Sequence, residues 1–172
     1  MSKIPCGHSY IDSDDPKNPI PENLIPKGLQ FQELFRIEKS EKKNNVRYYV
    51  LFKPEEPEKP VDIKVLWYRA AEGYFYRELN WIEQKFAYGV KIESQTESSI
   101  SFYVTSLNYV HITAQYENGK YIAKTILKGN PCFLSYVYVD VTTVILIKPV
   151  IHSVTAKGIT ESGDEIEEVF IP

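Results

Sequence analysis

The stretch Tyr109–Lys128, YVHITAQYENGKYIAKTILK, decides the fold class. Its two arms are dense in Val, Ile, Thr and Tyr, whose branched or aromatic side chains suit a pleated, half-buried surface. Between them, Asn118-Gly119 is the dipeptide that best tolerates the positive φ angles of a type I′ turn, so the stretch predicts an antiparallel hairpin. Successive side chains of a strand point to opposite sides. Val110, Ile112 and Ala114 therefore share one face of the first arm, and Tyr109, His111, Thr113 and Gln115 share the other.

The same β signal extends in both directions. GVKIES and SISFYVTSL precede the hairpin, and CFLSYVYVDVTTVILIK, starting at Cys132, follows it. The last run exceeds an ordinary strand length, which implies one long bent strand or two strands kinked near Asp140. AKGITESGDEIEEVFIP then predicts a final hairpin turning at Ser162-Gly163-Asp164. Towards the N-terminus, LQFQELFRI and VRYYVLFK form a pair joined by the polar run EKSEKKNN. The Pro and Glu segment PEEPEKP leads into VDIKVLWYR, where Val61, Ile63, Val65 and Trp67 lie on one face. Residues 72–88 carry two signals. Phe75, Leu79, Ile82 and Phe86 fall at helical spacing within an aromatic-rich run that also favours strand, and a short helix is the expected outcome. Residues 1–27 contain Pro5, Pro16, Pro19, Pro21 and Pro26, which remove backbone donors and block helix interiors and central strands. They read as an extended, Pro-rich leader before a single antiparallel β domain over 28–172.

The regular spacing of about nine or ten strands with turn signals predicts an all-β antiparallel sandwich or up-and-down barrel, with one short helix near 72–88. At 172 residues, 43% hydrophobic and 25% charged, the chain can bury one core. A net charge of -3 gives no basic excess for phosphate backbones, so no nucleic-acid partner is expected. No apolar run is long enough for a membrane span, and MSKIPCGHSY lacks a secretory h-region. This slightly favours a cytoplasmic location, although a secreted protein whose signal had been removed would read the same way. Cys6 and Cys132 are too far apart in sequence for a CxxC motif, and either two thiols or one disulfide fits.

Motifs for chemistry are absent. There is no GxSxG elbow, phosphate loop, dinucleotide fingerprint or HExxH helix, and His8, His111 and His152 are the only imidazoles. Cys6-Gly7-His8, followed by Asp12, Asp14 and Asp15, offers metal-ligating types, but a Pro-rich leader is a poor rigid scaffold. No metal or cofactor is expected. The acidic GDEIEE run reads as protection of an edge strand.

The strongest functional lead is the second strand face. Thirteen tyrosines is a high count, and tyrosine offers a partner both an apolar ring and a polar tip. Tyr103, Tyr109, His111, Tyr136 and Tyr138 are the candidate binding residues, with cross-strand pairing as the plain structural alternative. The leading expectation is a non-enzymatic interaction protein whose Tyr-rich face or edge contacts a protein partner or its own copy. A lipocalin-like carrier is the alternative, holding a small apolar or aromatic ligand in a barrel lined by these residues, although the early Gly-x-Trp motif of such barrels is missing. A motif-poor enzyme using His111 or His152 is third, to be judged by whether titratable groups converge in a cleft.

Overall fold

The computed structural model describes residues 20–39, 44–69, 75–142 and 150–171. Cys6, the Cys6-Gly7-His8 group, most of the leader and the end of the run after Thr142 lie outside them. Among the described residues, eleven strands form one curled sheet: β1 (Gln30–Lys39), β2 (Asn45–Lys53), β3 (Glu56–Arg69), β4 (Phe75–Glu78), β5 (Val90–Gln95), β6 (Ser99–Val104), β7 (Leu107–Glu117), β8 (Lys120–Leu127), β9 (Asn130–Thr142), β10 (Val150–Thr160) and β11 (Glu165–Phe170).

The deciding hairpin forms as its residues require. β7 pairs with β8 through Glu117↔Lys120, and Asn118 and Gly119 adopt φ of 52° and 85°. A second turn of the same kind joins β8 to β9 at Lys128 and Gly129, with φ of 48° and 78°. Lys tolerates a positive φ poorly, so Lys-Gly is a weaker turn signal than Asn-Gly. The final hairpin turns at Ser162-Gly163-Asp164 as expected, with Gly163 at a φ of 93°.

The long strand β9 organises the sheet. One of its edges pairs with β10 along most of its length. The other is shared: Asn130–Phe133 pair antiparallel with β8, whereas Val137–Val139 run parallel to Ile37–Lys39 of β1. Two wings therefore leave the same edge of β9, one ordered β1-β2-β3-β4 and the other β8-β7-β6-β5. The kink expected near Asp140 is a register shift on the partner strand, where Ile151 pairs with Val141 and Ser153 with Asp140.

The wings curl until their inner faces meet, giving an all-β half-barrel. Phe35 of β1 stacks on Tyr48 of β2 at 4.5 Å and lies 6.3 Å from Phe102 of β6. Where β1 and β8 splay apart, the Gln32 side chain takes the place of ladder bonds, donating to the Tyr121 carbonyl and accepting from its N–H, both at 2.8 Å. Tyr121 in turn donates its hydroxyl to the Pro57 carbonyl of β3 at 2.7 Å, and Tyr48 donates to the Tyr88 carbonyl at 2.7 Å. Buried hydroxyls satisfied across the core fix the spacing of the wings as well as their contact.

β3 and β5 bound an open seam, so the barrel does not close. Gln95 Nε2 donates to the Pro60 carbonyl across it at 2.6 Å, and Lys59 meets Glu97 at 3.4 Å. The ambiguous 72–88 stretch divides here. Phe75–Glu78 is a strand, and Trp81–Glu83 is one α-turn that widens into π geometry over Gln84–Tyr88. Asn80 and Glu83 form a reciprocal capping box that starts the helix, and a Cβ at Gly89 would stand 2.2 Å from the Gln84 carbonyl, so glycine ends it. Within residues 20–27, Glu22–Leu24 is a 3-10 turn, and Ile20 and Leu24 pack on the outer face of the first wing.

Candidate functional site: the outer sheet faces

The five tyrosine and histidine candidates face outward, but the fold does not gather them. Tyr103 and His111 are cross-strand neighbours on β6 and β7, with ring centroids 6.1 Å apart. Glu93 occupies a bulge of β5 opposite Phe102 and Ser101 and brings its carboxylate 2.7 Å from His111 Nδ1. This pair lies open to solvent on a sheet surface. Tyr109, two residues before His111, stacks instead on Phe170 of β11 at 5.5 Å.

Tyr136 and Tyr138 stand elsewhere, on β9 beside the first wing. Their rings are nearly parallel, 16° apart, with centroids separated by 6.4 Å. Tyr138 is level with Glu38 across the parallel pairing, and the Lys157 ammonium lies 5.8 Å from the Tyr136 ring. Partial burial, Glu38 and Tyr138 together hold the Tyr136 phenol above its usual range. β9 is paired along both edges here, so these rings sit on a rigid part of the sheet.

A cluster that sequence reading missed adjoins them. On β1 and β2 the outer face carries Glu33, Arg36, Asn45, Arg47 and Tyr49, joined by Tyr68 and Tyr76 of β3 and β4. Ordinarily such a face would be solvated. Here Glu33, Arg47 and Tyr49 are 2%, 6% and 0% exposed. Arg36 Nε donates to Glu33 at 2.7 Å and its second amino group to the other carboxylate oxygen at 3.4 Å. Arg47 Nε donates to Asn45 Oδ1 at 3.0 Å, one amino group donates to the Tyr76 hydroxyl at 2.7 Å, and the guanidinium lies over the Tyr68 ring at 3.9 Å. Burial raises the Glu33 carboxyl to about 7, against the lowering pull of Arg36 and Arg47. Strongly shifted groups in a buried cluster mark a candidate site as well as a structural network. The available signal was an arginine among aromatics, VRYYV followed by WY and FY, but alternation alone does not reveal that a second face is covered.

Two further features have weaker claims. A groove at the open seam is lined by Asp62, Lys64, Glu78, Trp81 and Lys91. Trp81 is 68% exposed, yet Lys64 and Glu78 already pair at 2.6 Å. His152 meets Thr142 at 2.8 Å on the surface. Among the described residues, no group of three or more His, Cys, Asp or Glu side chains converges as a metal site, and no helix is long and apolar enough to cross a membrane. Cys132 is buried against Gly158, and burial raises its thiol above the ordinary range.

The molecule is thus a curled all-β module with a filled interior and two chemically distinct outer faces. Residues 35–169 match the model of a domain of unknown function, DUF4833, and the chain belongs to that family. No curated protein and no solved structure matches it.

Proposed function

We propose that this protein is a non-enzymatic binding module whose tyrosine-bearing outer sheet face contacts a protein partner or a second copy of itself. The observation that carries this reading is the Tyr136–Tyr138 pair: two half-buried, nearly parallel rings on a doubly paired strand, flanked by Lys157 and Glu38. Aromatic side chains held on a rigid element lose little conformational entropy on association, and with charges at the rim they have the composition of an interface centre. The outward direction of all five candidates favours surface contact over a ligand enclosed by the barrel, and Phe35, Tyr48 and Phe102 occupy the interior between the wings. An enzymatic reading gains little. His111 and Glu93 form a dyad on an open sheet face, whereas proton transfer needs a substrate positioned against the base.

Benzoylphenylalanine placed at Tyr138, at Tyr109 or at Tyr103 tests the proposal by photocrosslinking in purified protein and in native extract. Crosslinks from position 138 to one defined polypeptide, or to a second copy, with none from 103, are the expected outcome. Equal nonspecific labelling from all three positions, or none from 138, would sink it.

A further inference from the structure

We infer that the buried Arg47–Tyr49–Tyr76 cluster is an oxyanion site, recognising a carboxylate or phosphate group. The inference does not depend on the proposed role of Tyr136 and Tyr138.

Charge is the first argument. The outer face of the first wing carries one buried and one partly buried guanidinium close to one carboxylate, and that carboxylate is engaged by Arg36 through both oxygens. Among the described residues, no carboxylate lies within ion-pair distance of Arg47. Its two hydrogen-bond acceptors, Asn45 Oδ1 and the Tyr76 hydroxyl, are neutral. A buried cation whose hydrogen-bond acceptors are all neutral is costly, and folded proteins normally pair or hydrogen-bond such charge fully. Five N–H donors surround a guanidinium, and these acceptors engage two of them.

The second argument is an unpaired donor at the same place. The Tyr49 hydroxyl is fully buried close to Arg47 and Tyr76, and no acceptor or donor meets it in good hydrogen-bond geometry. Such orphaned groups are rare in folded proteins and call for a missing acceptor. The surplus here is uniformly of donors: guanidinium N–H groups and a phenol. An oxyanion supplies several acceptor oxygens and one or two negative charges, answering both imbalances, and arginine matches carboxylate and phosphate geometry.

The 20–31 segment covers the cluster. Ile20, Leu24 and Phe31 pack on this cluster, and the Phe31 ring stands edge-on to Tyr49 at 5.6 Å. A groove lined by Ile20, Glu22, Ile25, Pro26, Lys27 and Phe31 borders this segment and shares Ile20 and Phe31 with the packing over the cluster. An anion bearing an apolar tail would place its head among the donors and its tail along these side chains.

The test is thermal unfolding and calorimetric titration of the intact protein with acetate and with inorganic phosphate, at constant ionic strength maintained with chloride. Wild-type protein should show a saturable rise in Tm with at least one of the two, and which anion binds more tightly distinguishes carboxylate from phosphate. Tyr49→Phe, which keeps the ring and removes only the unpaired hydroxyl, should weaken that binding about tenfold or more, the loss expected for a hydrogen bond to a charged group. Arg47→Met should abolish it; should that variant not fold, Tyr49→Phe decides alone. If neither anion gives a saturable shift, or if Tyr49→Phe binds as wild type does, the inference is overturned.

Discussion

β2 and β7 look alike in sequence and differ in the structure. Both are dense in β-branched and aromatic residues, YVHITAQY in the second alternating them with more polar ones and VRYYVLF in the first breaking its apolar run only at Arg47. In β7 the alternation is a faithful guide: Val110, Ile112 and Ala114 are buried, Tyr109 and His111 exposed. In β2 every residue from Asn45 to Leu51 is buried. The inner residues Val46, Tyr48 and Val50 join the main core. The outer residues Arg47 and Tyr49 are covered by Tyr68, Tyr76 and the 20–31 segment. Alternation tells how a strand divides its residues between two faces; what lies against each face depends on segments far away in the chain.

The comparison is most sharply tested by removing one outer residue from each strand. Arg47→Ala loses two hydrogen bonds and a stacked guanidinium from a buried site and should cost about 3 kcal/mol in urea unfolding. His111→Ala, on the exposed face, should change stability by less than about 0.5 kcal/mol. Equal small losses would mean that the β2 face is as solvated as that of β7.

Glu33 sharpens the same contrast through pH. Its carboxyl is raised from 4.5 unfolded to about 7 in the fold, chiefly by burial, so the folded state prefers the protonated form. That stability is fully present below pH 4.5 and is lost as pH rises through about 7, for a total of about 3 kcal/mol. The difference between wild type and Glu33→Gln, measured by urea midpoints from pH 4 to pH 8, should carry this slope. A flat difference would place Glu33 in water.

A smaller effect separates the wings from their faces. Tyr121→Phe removes the hydroxyl that reaches the Pro57 carbonyl between β8 and β3. The loss should be about 1 kcal/mol, with the fold retained. No loss would indicate that water replaces this bond and that apolar packing alone sets the spacing.

Much of the fold was legible because its causes are local. Asn118-Gly119 fixed one hairpin, Ser162-Gly163-Asp164 another, and β-branched runs marked the strands between them. The 72–88 stretch was only half legible. Helical spacing was real from Trp81 onward, where Asn80 and Glu83 cap the turn, but Phe75–Glu78 joined the edge of β3 because a neighbouring strand offered partners for its backbone. The parallel pairing of β1 with β9 had no local sign at all, since nothing in Ile37–Lys39 names residues a hundred positions away.

The candidate sites divide in the same way. Tyr103, Tyr109, His111, Tyr136 and Tyr138 were readable as outward-facing residues, because side-chain alternation is a property of any single strand. Their separation into groups on β6–β7 and β9, and the Arg47–Tyr49–Tyr76 cluster, were decided only by tertiary structure. The sequence by itself determined an all-β chain, its principal turns and the division of each strand into two faces, through backbone preferences acting over a few residues. The curl that fills the interior, the sharing of one edge of β9 by two wings, and the burial of a cationic face came from long-range packing, since pairing partners and covering segments are chosen by the whole folded chain at once.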